Sequence, residues 1–230
     1  MNMQKNSGGD YFEEHAQWIS DHLSNYYSDK EVSVFHEIAS FDLHMDVYYI
    51  QSDKHSFNIL LTSGMSTYKM DIKQKVKDPK ELEFAELMIL LPKELEFPES
   101  ISEENSKSWL IAMLKQAARF PYQYETWLGV GHTIQANAEF EPYDKSTKFA
   151  GLVVLPSMTF DEDFTKIRRN EELINIYTVF PMYKEEIEFK IENGYDTLAQ
   201  LLQKSNCTEL FDSNRPSLIQ KKSFWNRLIE

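Results

Sequence analysis

Between Asp10 and Tyr27, Tyr11, Phe12, His15, Trp18, Ile19, His22, Leu23, Tyr26 and Tyr27 recur at helical spacing. The spacing predicts an amphipathic helix with Asp10 as its N-cap. The period then changes. Residues 32–38, 44–50 and 57–62 are short β-branched and aromatic runs parted by Ser, Asp and Lys, which predicts three consecutive strands in a meander. Ser63-Gly64-Met65-Ser66 closes the third run with a turn, and residues 82–91, almost continuously apolar up to Pro92, predict a strand central in the sheet.

Residues 93–102 hold Pro98 and three glutamates without periodicity and read as a loop. A second helix follows, capped by Ser102 or Ser106, with Trp109, Leu110, Met113, Leu114, Ala117 and Ala118 on one face and Pro121 as its stop. Strands are expected near residues 132–135 and 149–155, then an acidic loop, then a strand at 173–180 broken by Pro181. Tyr183, Ile187 and Ile191 lie on one side of a third helix ended by Gly194, with Glu186 and Lys190 in the favourable i, i+4 order. Asp196 is expected to cap a fourth helix carrying Leu198, Ala199, Leu201 and Leu202, before a tail with Phe224, Trp225, Leu228 and Ile229. No internal repeat divides the chain, so the reading is a single α+β domain over residues 10–219. Its centre is a mixed, largely antiparallel β-sheet packed with α-helices, flanked by a flexible N-terminus (1–9) and a C-terminal tail (220–230).

The chain has 230 residues, 42% hydrophobic, with a formal net charge of −13. That sign opposes binding to a phosphate backbone, so nucleic acid is not an expected ligand. One cysteine, Cys207, excludes a disulfide framework or a Cys-rich metal site and fits a reducing cytoplasm. The N-terminus does not read as a secretory signal, and no apolar run approaches the about 20 residues of a membrane helix.

Several stretches resemble one family. They are Val34-Phe35-His36-Glu37-Ile38 with His44-Met45-Asp46-Val47-Tyr48, Leu61-Thr62-Ser63-Gly64-Met65-Ser66, and Ala85-Glu86-Leu87-Met88 with Leu90-Leu91-Pro92. The order continues through Ala117-Ala118-Arg119-Phe120-Pro121, Thr126-Trp127-Leu128-Gly129, Gly131-His132-Thr133-Ile134 and Phe180-Pro181-Met182-Tyr183 followed by Glu185-Glu186-Ile187. Together they resemble the suppressor-of-fused-like domain family, in its compact single-domain bacterial form. The resemblance implies protein binding without catalysis. The eukaryotic member sequesters a zinc-finger transcription factor by gripping an extended segment, and many bacterial relatives look like immunity proteins for secreted toxins. The eukaryotic contact residues do not transfer, because half of that grip belongs to an additional C-terminal domain that the compact form is expected to be without.

His36, Glu37, His44, Asp46 and His132 are residue types that a metal site or general base would use. In a hairpin of residues 32–38 and 44–50, an even register sets His36 opposite Asp46. The plain reading is a hydrogen-bonded His–carboxylate pair, and these spacings match no strong metal motif. Ser63 and Ser66 with His132 sketch a hydrolase triad. However, Thr62-Ser63-Gly64-Met65-Ser66 lacks the second glycine of a nucleophile elbow, and its hydroxyls read as bonded to the local backbone. Gly129-Val130-Gly131-His132 is not a phosphate loop. Around it, Trp127 is expected to be buried, with Tyr122 and Tyr124 partly exposed. No cofactor is implied.

Acidity is uneven: residues 78–104 hold nine acids against two bases, and Asp161, Glu162 and Asp163 form a second group. Glu94, Glu96, Glu99, Asp161, Glu162 and Asp163 are therefore either a solvated face or a surface that captures a basic protein partner such as a toxin domain. Three functions stay open: an immunity protein, a metal-dependent or other hydrolase using His36, His44, Asp46 and His132, and a regulator that sequesters a protein by β-strand addition.

Overall fold

The structure, a computed structural model, describes residues 9–38, 42–73, 75–95, 97 and 107–219. Helix α1 (Gly9–Ser24) precedes three antiparallel strands, β1 (Val32–Phe35), β2 (Asp46–Ile50) and β3 (Phe57–Ser63), followed by β4 (Phe84–Pro92). The expected meander thus extends to four strands. Helix α2 (Ser108–Tyr124) leads to β5 (Thr133–Gln135) and β6 (Phe149–Leu155). One short helical turn, α3 (Glu162–Thr165), then feeds β7 (Lys166–Arg169) and the long β8 (Glu172–Tyr183), before α4 (Lys184–Asn193) and α5 (Tyr195–Lys204). Strand order is β1-β2-β3-β4-β8-β6-β5, with β7 also paired to β8; among the described strand pairs β4–β8 alone is parallel, and Leu90 makes an isolated parallel bridge to Leu210. β4 is central, as its apolar run, interrupted only by Glu86, requires.

Alternation along the strands divides the core between two faces. Ala85, Leu87, Ile89 and Leu91 of β4 pack with Tyr177 and Val179 of β8 beneath the apolar stripe of α2, including Leu110, Met113, Leu114 and Ala117. On the other face Phe84, Met88 and Leu90 meet Trp18, Ile19 and Leu23 of α1. Beside them Val153, Leu155, Phe180 and Met182 are covered by Ile187, Leu198 and Leu202 of α4 and α5.

Several boundaries differ from the sequence expectation. β1 ends at Phe35 and β2 starts at Asp46, because side chains take over the backbone pairing there: the Glu37 amide donates to Asp46 (2.9 Å) and the Met45 amide to Glu37 (3.0 Å). Pro121 lies inside α2, in its last turn, where it forfeits one amide bond. Its own carbonyl then accepts the Glu125 and Thr126 amides that close the helix, Glu125 having φ 47°. Pro181 likewise sits within β8, opposite Leu152. The stretch beyond Thr178 has no β4 partner, so the missing N–H breaks no ladder there, and the Pro181 carbonyl turns to Arg215 instead (2.7 Å). α1 already starts at Gly9, so Asp10 lies in its first turn, and Gly194, not Asp196, stands at the N-cap of α5. The acidic loop at 161–163 is the start of α3, followed by a strand, β7, that the pattern did not announce. The Ser102 and Ser106 caps and the tail aromatics fall outside the described residues.

Candidate functional site

Asp46 opens β2 at the mouth of the first hairpin, and the register that pairs Phe35 with Val47 carries His36 opposite it. One carboxyl oxygen of Asp46 lies 3.0 Å from His36 Nδ1. The other accepts the Glu37 amide at 2.9 Å and lies 3.0 Å from His44 Nε2. Burial alone would raise this carboxyl; the Glu37 amide and the two imidazoles outweigh it, so its pKa is below the ordinary value. Glu37 answers by accepting the Met45 amide and pairing with Arg119 of α2, whose Nε also lies 3.3 Å from Asp42 and 3.2 Å from the Leu43 carbonyl. Lys115, one helical turn before Arg119, has its pKa pushed down by burial and partly restored by Glu37. The result is a clamp of alternating charge tying the hairpin mouth to α2. Every acceptor oxygen of Asp46 is already engaged within the protein.

Ser63 and His132 do not complete this site. Ser63 is buried opposite Asp46 across β2 and β3. His132 stands just before β5, at the far end of the sheet, with β3, β4, β8 and β6 between β5 and β2. Its ring lies 4.3 Å from that of Trp127, its Nδ1 is 3.3 Å from the Gly129 amide, and burial, then Lys190, lower its pKa. Trp127 is half-buried, while Tyr122 and Tyr124 are exposed. Among the described residues no three His, Cys, Asp or Glu side chains are placed to hold a metal ion, and no helix is long and apolar enough to cross a membrane.

Ser66 does not bond the local backbone through its hydroxyl. It donates to Glu86 (2.7 Å), a fully buried carboxyl that also accepts the Thr62 hydroxyl (2.6 Å) and the Gly64 and Ser66 amides (both 3.0 Å). Gly64 is required there: at φ 135° a Cβ would lie 2.2 Å from the His44 carbonyl oxygen. Glu186, expected to pair with Lys190, is instead fully buried and held bidentately by Arg215 (2.6 and 2.7 Å), itself sandwiched by Phe149, Phe180 and Tyr183. Glu209 accepts the Ser157 hydroxyl and the Met158 and Thr159 amides. These three glutamates were invisible as a group in the sequence, since nothing local distinguishes a buried Glu from a solvated one; an apolar strand around Glu86 was the only signal.

The acidic run at 78–104 is therefore not a uniform face. Glu86 is in the core, Glu81 pairs with Arg168 (3.2 Å) and Glu83 with Lys69 (3.0 Å), while Glu94 is exposed. Glu96 and Glu99 lie outside the described residues. Asp161, Glu162 and Asp163 are exposed. Asp161 caps α3 through the Phe164 amide (3.2 Å), and Glu162 is paired with Lys166 (2.6 Å), which lowers its pKa.

Comparison with solved structures returns the same architecture. A suppressor-of-fused homologue from Neisseria gonorrhoeae superposes with a TM-score of 0.66 at 13% identity, over 91% of this chain and 99% of that one. A chain of the Sufu–Fu complex gives 0.60 at 13%, over 89% and 92%. Drosophila Suppressor of Fused gives 0.57 at 14%, over 93% of this chain but 52% of that one. No curated protein sequence matches significantly. The family model for suppressor of fused protein (SUFU) matches residues 42–216, from β2 through the other strands of the sheet, with α2 and the Glu186–Arg215 pair, and the chain belongs to that family.

Proposed function

We propose that this protein is a non-catalytic protein-binding module, and that in a bacterial cytoplasm it acts as an immunity protein, neutralising a cognate secreted toxin by covering it. The observation that carries the binding reading is the shared fold with Sufu, solved in complex with Fu. The polar cluster supports it from the opposite direction: Asp46 spends both carboxyl oxygens on His36, His44 and the Glu37 amide, and His132 is four strands away. A hydrolase would need those groups to converge on an open pocket. Exposed Glu94, Asp161 and Asp163 favour a basic partner, since complementary charge accelerates encounter.

The test is isolation from the native host at low and moderate salt, with mass spectrometry of co-purifying protein and metal analysis of the same sample. A stoichiometric basic protein, released as salt rises and no longer toxic to cells when this chain is co-expressed, is the expected result. Stoichiometric metal without a partner would overturn it in favour of the hydrolase.

A further inference from the structure

A shallow cleft opens between the end of α1, the turn that precedes β3 and the loop entering α3. Buried Tyr27 and Phe164 and half-buried Tyr26, His55 and Phe160 line it. Tyr26 stands edge-on to Phe164 (5.1 Å, 85°) and His55 to Phe160 (5.4 Å, 81°), while Phe160 stacks one face on Phe164 (4.2 Å, 24°). Phe160 is fixed in place from beneath, because buried Glu209 gathers the Ser157 hydroxyl and the Met158 and Thr159 amides, and Ser157 Oγ accepts the Phe160 amide (3.0 Å). Such preorganisation removes the ordering cost of a binding loop.

Negative charge rims these rings. Asp161 lines the cleft and spends Oδ1 on capping α3, while its Oδ2 has no hydrogen bond or ion pair among the described residues. After burial, the charges of Asp163 and Asp161 raise the Tyr26 hydroxyl pKa, so both aspartates are felt inside the cleft. The protein already places a cation here. Lys54 Nζ lies 5.7 Å from the Tyr27 ring centroid and donates to the Tyr26 carbonyl, without an ion pair among the described residues.

We propose that this cleft receives an arginine side chain from a protein partner, its guanidinium stacked on Tyr26 and Phe160 and hydrogen-bonded to Asp161, with Lys54 moving off the Tyr27 ring to admit it. Arginine suits the site better than lysine because its planar fork both stacks on a ring and reaches a carboxylate. The inference rests on the protein-binding reading and names the chemistry that a partner must present.

The test titrates the intact protein with N-acetyl-arginine amide, and separately with N-acetyl-citrulline amide, following the aromatic rings by NMR. Saturable shifts confined to Tyr26, Tyr27, Phe160 and Phe164 are expected with arginine only. They should weaken about fivefold in Phe160→Ala and in Asp161→Asn, and strengthen in Lys54→Met. Asn still caps a helix, so the Asp161 variant keeps its fold if Phe160→Ala does not. An equal response to citrulline, or shifts indifferent to both Asp161→Asn and Lys54→Met, overturns the proposal. A natural partner that binds Asp161→Asn protein undiminished sinks the arginine cleft while leaving protein binding intact; arginine captured at the rings of a protein that retains no partner does the reverse.

Discussion

Three buried glutamates each discharge a different structural task, and the donors they satisfy set the consequence of removing them. Glu86→Ala would strand the Gly64 and Ser66 amides and two hydroxyls in the core, an expected loss of about 3 kcal/mol. Glu86→Gln keeps an acceptor for the amides and offers its NH2 to Thr62, whose oxygen already accepts the Leu87 amide, so about 1 kcal/mol is expected. Urea unfolding of both variants checks the order; equal losses would show that the charge, not the donor count, matters. Arg215→Met leaves Glu186 buried without its cation and should cost about 3–5 kcal/mol. Adding Glu186→Leu should recover only part of that, because the Tyr183 and Leu218 amides also depend on Glu186. Full recovery in the double variant would remove those amides from the account.

Among the strands, β6 carries a close-packing constraint of its own. Gly151, at the irregularity where the β6–β8 register shifts, allows β5 and α4 to approach together: a Cβ there would lie 2.5 Å from both the Ile134 carbonyl oxygen and Ile187 Cδ1. Gly151→Ala should therefore destabilise by about 1–3 kcal/mol and speed amide exchange in β5 and α4, with α1 unaffected. Uniform acceleration across the chain would mean global unfolding instead. Element existence was legible wherever one face is apolar. The helices of residues 9–24 and 108–124, the meander and the central strand all announce themselves by period; alternation allowed His36 to face Asp46, and the register that pairs Phe35 with Val47 brings them together. The boundaries at Pro121 and Pro181 were not legible. A proline ends an element only if its missing N–H would have been needed, and that depends on whether a neighbour lies on that side.

At the scale of the molecule, the histidines govern the response to mild acid. Burial lowers the pKa values of His22, His55 and His132 below the 6.5 of the unfolded chain. As pH falls through that value the unfolded chain takes up protons that the folded protein refuses, so stability is full above it and declines on the acid side. The denaturant midpoint should drop between about pH 7.5 and 5.5, and His22→Gln, which removes one buried imidazole bonded to the Phe164 carbonyl, should flatten the decline. A midpoint that holds or rises over this window contradicts the assignment. The α+β class and the order of most elements could be read from the chain alone, since period is a property of neighbouring residues, and alternation left an even hairpin register open without choosing it. The folded architecture settled which charges face water. It drew Glu86, Glu186 and Glu209 inward, left Asp161 and Asp163 outside and set His132 apart from Asp46, because burial and long-range partners arise from packing between segments far apart in the chain.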